Sequence, residues 1–375
     1  MSDTGAQTGS NFNQFLPGAE ATADVSSILN DLNDAQRQAV TAPPEHMLVL
    51  AGAGSGKTRV LVHRIAWLNQ VEGISPYNIF AVTFTNKAAA EMRQRVEQLQ
   101  GHSASGMWVG TFHGLAHRLL RNHWKEAKLP QSFQILDSDD QYRLVRRVLK
   151  TLELDEAKWP PKQAQAFINA RKDEGKRPSH IDTSRNPIYE QLVRIYTAYE
   201  AACERAGVID FAELLLRTLE LIRDNDSLQA HYQKRFQHIL VDEFQDTNTI
   251  QYALIQLLAG QKNKVFIVGD DDQSIYGWRG ARVENIHRFQ KDYASAQVIR
   301  LEQNYRSTTT ILSAANALID NNADRMGKKL WTSGEDGEAI IFYNAYDERD
   351  ETQVVLDKIK QFVDNGNPRA DSAIL

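Results

Sequence analysis

The chain has 375 residues, 24% of them charged and 42% hydrophobic, with a formal net charge of −5 at pH 7. That length predicts on the order of two or three compact units, and the negative charge gives no global pull on nucleic acid, so any such binding needs a local groove. No apolar stretch reaches the roughly 18 to 20 residues of a membrane span, and the N-terminus has no basic start or apolar block, so a cytoplasmic location is expected. The single cysteine, Cys203, excludes an internal disulfide and a Cys-rich zinc site, and beside Ala201 and Ala202 it reads as a small packed side chain.

In chain order, residues 1–24 are rich in Ser, Thr, Gly, Ala, Asn and Gln and read as a flexible tail. Apolar strands at 47–50 and 79–84 then alternate with helical periodicity over 57–68 and 87–99, the pattern of a parallel, doubly wound sheet. The first strand runs into Ala51-Gly52-Ala53-Gly54-Ser55-Gly56-Lys57-Thr58, which opens a helix. A di- or triphosphate needs inward-aimed backbone N–H groups, a close backbone approach, a lysine for the β/γ charge and a hydroxyl for Mg²⁺. Gly52, Gly54 and Gly56 permit the approach, Lys57 supplies the charge and Thr58 the metal ligand. Ala51 stands where glycine is usual, at the position farthest from the phosphates.

Over 111–207 the strand signal fades and helical patterns cover 115–124, 139–152, 161–172 and 189–206, which predicts a helical insertion. Strands return at 239–241 and 265–268 around a helix over 249–258, so the first core is expected to comprise 25–110 and 208–280. Asp242 and Glu243 follow the strand at 239–241. Parallel sheets place ligands at strand C-termini, and there Asp242 is expected to hold Mg²⁺ and Glu243 to activate water.

The next strand ends in Gly269-Asp270-Asp271-Asp272-Gln273-Ser274-Ile275-Tyr276-Gly277-Trp278-Arg279-Gly280. Three consecutive acids invite a calcium reading, but no glutamate stands at the twelfth position and the segment directly follows a strand. Gln273 sits where a neutral amide can sense a γ-phosphate, while Tyr276 and Trp278 offer rings for bases. A third region over 281–375 is expected to hold strands at 298–301 and 339–343, helices over 308–319 and 351–363, and a strand starting at 373.

Taken with Leu32-Asn33-Asp34-Ala35-Gln36, Val82-Thr83-Phe84-Thr85-Asn86-Lys87-Ala88-Ala89, Gly110-Thr111-Phe112-His113 and Leu301-Glu302-Gln303-Asn304-Tyr305-Arg306-Ser307-Thr308, these motifs resemble the UvrD/Rep/PcrA group of superfamily 1 DNA helicases from about residue 28 onward. The resemblance implies an α/β fold: a RecA-like P-loop core with a parallel sheet, a helical insertion, and over 281–375 an incomplete second RecA-like core. It implies ATP and Mg²⁺ as cofactors, single-stranded DNA and its junctions with duplex as partners, repair proteins as partners to look for, and no membrane. By position, Gln36 would hydrogen-bond adenine, Tyr305 would stack on it and Arg59 would lie near the nucleotide. Gln273 would couple the γ-phosphate to the DNA groove, and Arg306 would be an arginine finger from the second core. Phe84, Asn86, His113, Tyr276, Trp278 and Arg279 would line the single-strand track.

Plainer roles stay open beside these: Phe84 and Phe112 as core aromatics, His113 as a packing histidine, Tyr305 as a capping ring, Arg306 as a surface cation. Arg118, Arg121, Arg143, Arg146 and Arg147 read as a solvated face, with duplex contact as the alternative. A whole member of such a family is expected to continue beyond residue 375. For function, ATP-dependent 3′ to 5′ unwinding in DNA repair or replication is the main expectation. The alternatives are a nucleotide-gated single-strand-binding module that does not unwind, and the motor of a RecB- or AddA-like helicase-nuclease.

Overall fold

The structure, a computed structural model, describes residues 25–375 except Ser105, Arg185, Trp278, Arg279, Ala323 and Asp324. The tail over 1–24 and the track residues Trp278 and Arg279 therefore lie outside the described residues. The strands in chain order are β1 (Met47–Ala51), β2 (Ile79–Thr83), β3 (Trp108–Thr111), β4 (Gln134–Ile135), β5 (Val208–Ile209), β6 (His238–Val241), β7 (Lys264–Gly269) and β8 (Gln297–Leu301). β4 and β5 pair with each other; the other six form one sheet in the order β3-β2-β6-β7-β1-β8, parallel at each pairing.

Helices α1 (Ser26–Leu29) and α2 (Asp34–Thr41) precede β1, and α3 (Lys57–Gln70), α4 (Asn86–Gln100) and α5 (Phe112–Asn122) follow the first three strands. Between β4 and β5 lie α6 (Ser138–Thr151), α7 (Pro161–Asp173) and α8 (Pro187–Ala206); α9 (Phe211–Arg223) and α10 (Asp226–Arg235) lead into β6. α11 (Thr249–Ala259) and α12 (Glu284–Asp292) precede β7 and β8, and α13 (Thr309–Ile319) and α14 (Glu348–Asp364) follow. Among the described residues no helix is long and apolar enough to cross a membrane.

Successive side chains of a strand point to opposite faces. Leu48 and Leu50 of β1 accordingly join Phe80, Val82, Ile239 and Val241 in the layer covered by α5, α9 and α11. Met47, Val49 and Ala51 face the other way, into the layer of α2, α3 and α4. With both faces covered, β1, β2 and β6 are buried throughout, whereas the edge strand β8 alternates, with Arg300 exposed. The turns out of the sheet are set by capping side chains, which satisfy orphan N–H groups at helix starts. Thr85 accepts from Ala88 N ahead of α4, and Thr111 accepts from Gly114 N ahead of α5.

The helical insertion is smaller than 111–207. The apolar stripe of α5, with Leu115, Ala116, Leu119 and Leu120 at helical spacing, packs with Trp108 and with Leu215 and Leu219 of α9, so β3 and α5 belong to the main core. α6, α7 and α8 form the separate cluster, around Leu144, Val145, Ile168, Ile195, Tyr196 and Tyr199. Cys203 is buried in that cluster, as expected, and desolvation raises its thiol to about 11.

A buried ionic network ties α7 to α9. Lys172 is 1% exposed, and its ammonium donates to Asp210 Oδ2 at 2.7 Å and pairs with Glu213 Oε2 at 2.9 Å. Arg177 donates to Glu213 at 2.8 Å and Glu220 at 2.6 Å and also pairs with Glu200. Burial alone would lower the Lys172 ammonium, but Glu213 and Asp210 outweigh it and raise it.

The expected third region is corrected in two ways. β8 pairs with β1 from Met47↔Gln297 to Ala51↔Leu301, so the strand expected at 298–301 completes the first sheet and gives β1 a neighbour on each side. One compact unit runs to Arg306 and includes Asn322–Leu330; Ser307–Asn321 with Trp331–Leu375 form the other. In that second unit 339–343 and 373–375 are not strands, and Phe342 is 90% exposed. A strand needs a neighbour for its N–H and C=O groups, and among the described residues none pairs with these segments.

Removing Lys172 would take the ammonium from buried Asp210, which keeps the Tyr199 hydroxyl, while Glu213 keeps Arg177 and Arg217. Lys172→Ala is expected to lower stability by about 3 to 5 kcal/mol in equilibrium urea unfolding; a loss under about 1 kcal/mol would contradict this account of the network.

Candidate nucleotide and nucleic-acid site

Because the six strands are parallel, their C-termini lie along one edge, and every motif but the one at Leu32–Gln36, which precedes β1, follows one of them. The phosphate loop follows β1, Phe84 and Asn86 follow β2, and His113 follows β3. Asp242 and Glu243 follow β6, Gln273 follows β7, and Tyr305 and Arg306 follow β8.

The loop between β1 and α3 turns through left-handed backbone at Gly54 (φ +66°) and Gly56 (φ +88°). A Cβ on Gly54 would lie 2.7 Å from Asn304 Nδ2 and 2.8 Å from Arg306 Cβ, and one on Gly56 would lie 2.7 Å from Gln36 Nε2. Lys57 Nζ pairs with Glu243 Oε2 at 3.1 Å, and Thr58 Oγ1 donates to Asp242 Oδ2 at 3.3 Å. Desolvation, then the adjacent Glu243 carboxylate, raises Asp242 to about 7, with Lys57 pulling the other way. Glu243 has φ +48°, rare for a residue with a side chain.

Gln36 is fully buried; its Nε2 donates to Ser55 O at 2.8 Å and its Oε1 accepts from Asn33 N at 3.1 Å, closing the capping box of α2. Asn33 Nδ2 in turn donates to the Tyr305 hydroxyl at 2.7 Å, so the two residues expected at adenine are joined through Asn33. Arg59 is exposed and donates to Asp31 O. The segment after β8 grips the loop: the Asn304 side-chain Nδ2 donates to Ala53 O at 2.6 Å and the Tyr305 backbone N to Gly54 O at 3.0 Å. Arg306, expected to arrive from a second core, thus belongs to the same compact unit as the loop, because β8 pairs beside β1.

The track residues cluster one step along the edge. Phe84 stacks on Tyr276, with centroids 5.1 Å apart and planes at 27°, and Asn86 Oδ1 accepts from Thr111 Oγ1 at 3.4 Å. His113 meets Phe211 edge-on at 6.2 Å, and burial lowers its pKa. Phe84, Phe112, His113 and Phe211 line a cleft of about 840 Å³ whose far wall includes Gln141 and Asn169 of the helical insertion. Asp246 also lines it; desolvation, then Glu243, raises this carboxyl to about 6, and its Oδ1 has no hydrogen-bond partner among the described residues.

The pattern of the UvrD/REP helicase N-terminal domain matches residues 32–294, and that of the UvrD-like helicase C-terminal domain matches 299–375. The chain belongs to the UvrD/Rep helicase family. It is 64% identical to DNA helicase II of Escherichia coli strain K12 over 352 residues and 56% identical to DNA helicase II of Haemophilus influenzae over 356 residues; each match covers 94% of this chain and 49% of the relative. It is 44% identical to the ATP-dependent DNA helicase PcrA of Staphylococcus aureus over 352 residues, which cover 94% of this chain and 48% of that protein. The chain spans about half the length of the curated relatives it matches.

In this UvrD/Rep family chain two further groups reach the site: Gln245, whose segment Phe244-Gln245-Asp246-Thr247 strengthens the acid-pair motif in sequence without giving the amide a role, and Lys328. Gln245 Nε2 donates to Glu243 Oε2 at 2.8 Å, and its Oε1 accepts from Asp270 N at 2.9 Å, so one amide links the ends of β6 and β7. An amide two residues after a strand-end acid pair was the available signal. Lys328 lies among Asp270, Asp271 and Asp272 at 2.6, 2.8 and 2.6 Å, and Arg325 donates to both oxygens of Asp272. The three acids thus surround an ammonium group, as the doubt about calcium allowed, and nothing in their own sequence points to Lys328. Arg118 and Arg121 are not simply solvated: their guanidinium groups lie 4.2 Å from the Trp108 ring centre and 3.9 Å from that of Phe133. Arg143 and Arg146 form surface pairs with Asp140 and Glu156.

Gly54→Ala would meet both a left-handed φ and two close neighbours. The expected loss is about 1 to 3 kcal/mol by chemical denaturation; an unchanged midpoint would refute the tight fit around the loop.

Proposed function

We propose that this chain is the ATP- and single-strand-binding part of an ATP-dependent DNA helicase that moves 3′ to 5′ along single-stranded DNA and unwinds duplex at its junctions, in cytoplasmic DNA repair or replication. The observation that carries the reading is the pairing of Lys57 with Glu243 beside Thr58 and Asp242, one step along the sheet edge from a ring-lined cleft.

Lys57 meets the β/γ charge of ATP, drawn from Glu243 by the greater charge of the phosphates. Thr58 and Asp242 offer a hydroxyl and a buried carboxylate, hard oxygen donors that suit Mg²⁺, and they would hold that ion, which supplies charge neutralisation at the phosphates when bound. Glu243, released from Lys57, takes a proton from water as the water oxygen bonds to the γ-phosphorus and the bond to the bridging oxygen breaks, leaving ADP with the electron pair. Arg306, beside Gly54, neutralises charge that develops on the transferred group, and Gln273 senses it. Gln36 and Tyr305 hold adenine, with Arg59 nearby. Bases stack in the cleft on Phe84 and His113, backed by Tyr276 and flanked by Asn86, and stacking holds any sequence because every base has a π-face.

Lys57→Ala is expected to abolish ATP binding in a fluorescent-nucleotide titration, whereas Glu243→Gln should bind ATP and lose about 10²-fold or more in turnover. Retained hydrolysis in the glutamine variant would reject Glu243 as the base. Phe84→Ala should weaken oligo(dT) binding by about 1 to 3 kcal/mol, one stacked base, in an anisotropy titration. If oligonucleotides leave ATP turnover unaltered in the chain and in the whole protein that contains it, the motor reading fails.

A further inference from the structure

We infer that Lys328 is a positioning residue that holds the loop after β7, and with it the Gln273 amide, in place for the γ-phosphate. This rests on the role proposed for Gln273. The Lys328 side chain is 3% exposed, and its three N–H bonds meet one oxygen each of Asp270, Asp271 and Asp272. Asp270 is the hub: its Oδ1 faces Lys328, its Oδ2 accepts from Gln273 Nε2, and its backbone N–H reaches Gln245, which holds Glu243. An ammonium at the centre of three carboxylates fixes the rotamer of each, since three like charges so close repel without it.

The same segment also closes on the phosphate loop. Two residues after Lys328, Leu330 covers Gly52 so closely that a Cβ there would overlap Leu330 Cδ2. Arg325 fastens the start of the segment to Asp272, and Met326 N donates to Asp271 Oδ2 at 2.8 Å. The segment over 325–330 therefore straps the Gln273 loop and the phosphate loop together, and Lys328 is its buried fastening.

The test uses the full chain with Lys328→Gln, Lys328→Arg, Gln273→Ala and the Lys328→Gln/Gln273→Ala pair. Hydrogen–deuterium exchange of the amides over 270–277, without nucleotide, should run about tenfold faster in Lys328→Gln. Oligo(dT)-stimulated ATP turnover should lose about tenfold in kcat with KM for ATP within about twofold, as a misplaced amide would give. Lys328→Arg should recover part of kcat, and Lys328→Gln should add less than about twofold to the loss from Gln273→Ala, because both act through one amide. Unchanged exchange, unchanged kcat, or full multiplication of the two losses would overturn the inference. If Lys328→Gln does not fold, Asp270→Asn, which keeps the side chain's size, takes its place with the same readouts. Absence of stimulated turnover in the unsubstituted chain would overturn the helicase reading, whereas the exchange comparison alone decides whether Lys328 holds the loop.

Discussion

The parallel hydrogen bonding of β1 between β7 and β8 is the constraint on which the other features depend. A strand buried on both faces has no water for its N–H and C=O groups, so neighbours must satisfy them on both sides. Once those neighbours are parallel, the loops after β1, β7 and β8 must emerge at the same edge, however far apart they lie in sequence. Residues 52–58, 270–273 and 304–306 are thereby delivered to one place by backbone pairing alone. The side-chain contacts among them, such as Asn304 to Ala53 O, then refine a proximity that the sheet has already imposed.

The layers on either side follow from alternation along the same strands. Leu48 and Leu50 commit one face to α5, α9 and α11, and Val49 and Ala51 commit the other to α2, α3 and α4. The helical insertion stands apart with its own apolar cluster, yet it is not joined to the core only by chain. Lys172, Asp210, Glu213 and Arg177 form a buried charge network between α7 and α9. Such a network tolerates little sliding, because any displacement exposes carboxylates to a medium that cannot solvate them. The far wall of the ring-lined cleft is thus held at a defined distance from the near one.

What could be read from sequence was what is encoded locally. The glycines, Lys57 and Thr58 are contiguous, and Asp242 and Glu243 follow an apolar run, so strand, loop and helix could be placed without knowing any partner. β3 escaped because it has only four residues and Thr111 already serves as the cap of α5. α5 looked like part of the insertion because its stripe says only that it packs on something, not on what. β8 was placed in a third region for the same reason: an apolar strand does not announce its partner. Lys328 was invisible, since a lone lysine 56 to 58 positions from the aspartates carries no periodic or motif signal. Distance information of that kind arises only when the fold closes.

The clasp between Lys57 and Glu243 ties the two groups into one unit. Under the roles proposed for them, the group that attracts the phosphates and the group that deprotonates water are each other's counter-ions. Separating the pair for those roles requires a competitor carrying more negative charge than one carboxylate. Under those roles, seating the triphosphate on Lys57 and releasing Glu243 to meet water would be one and the same event.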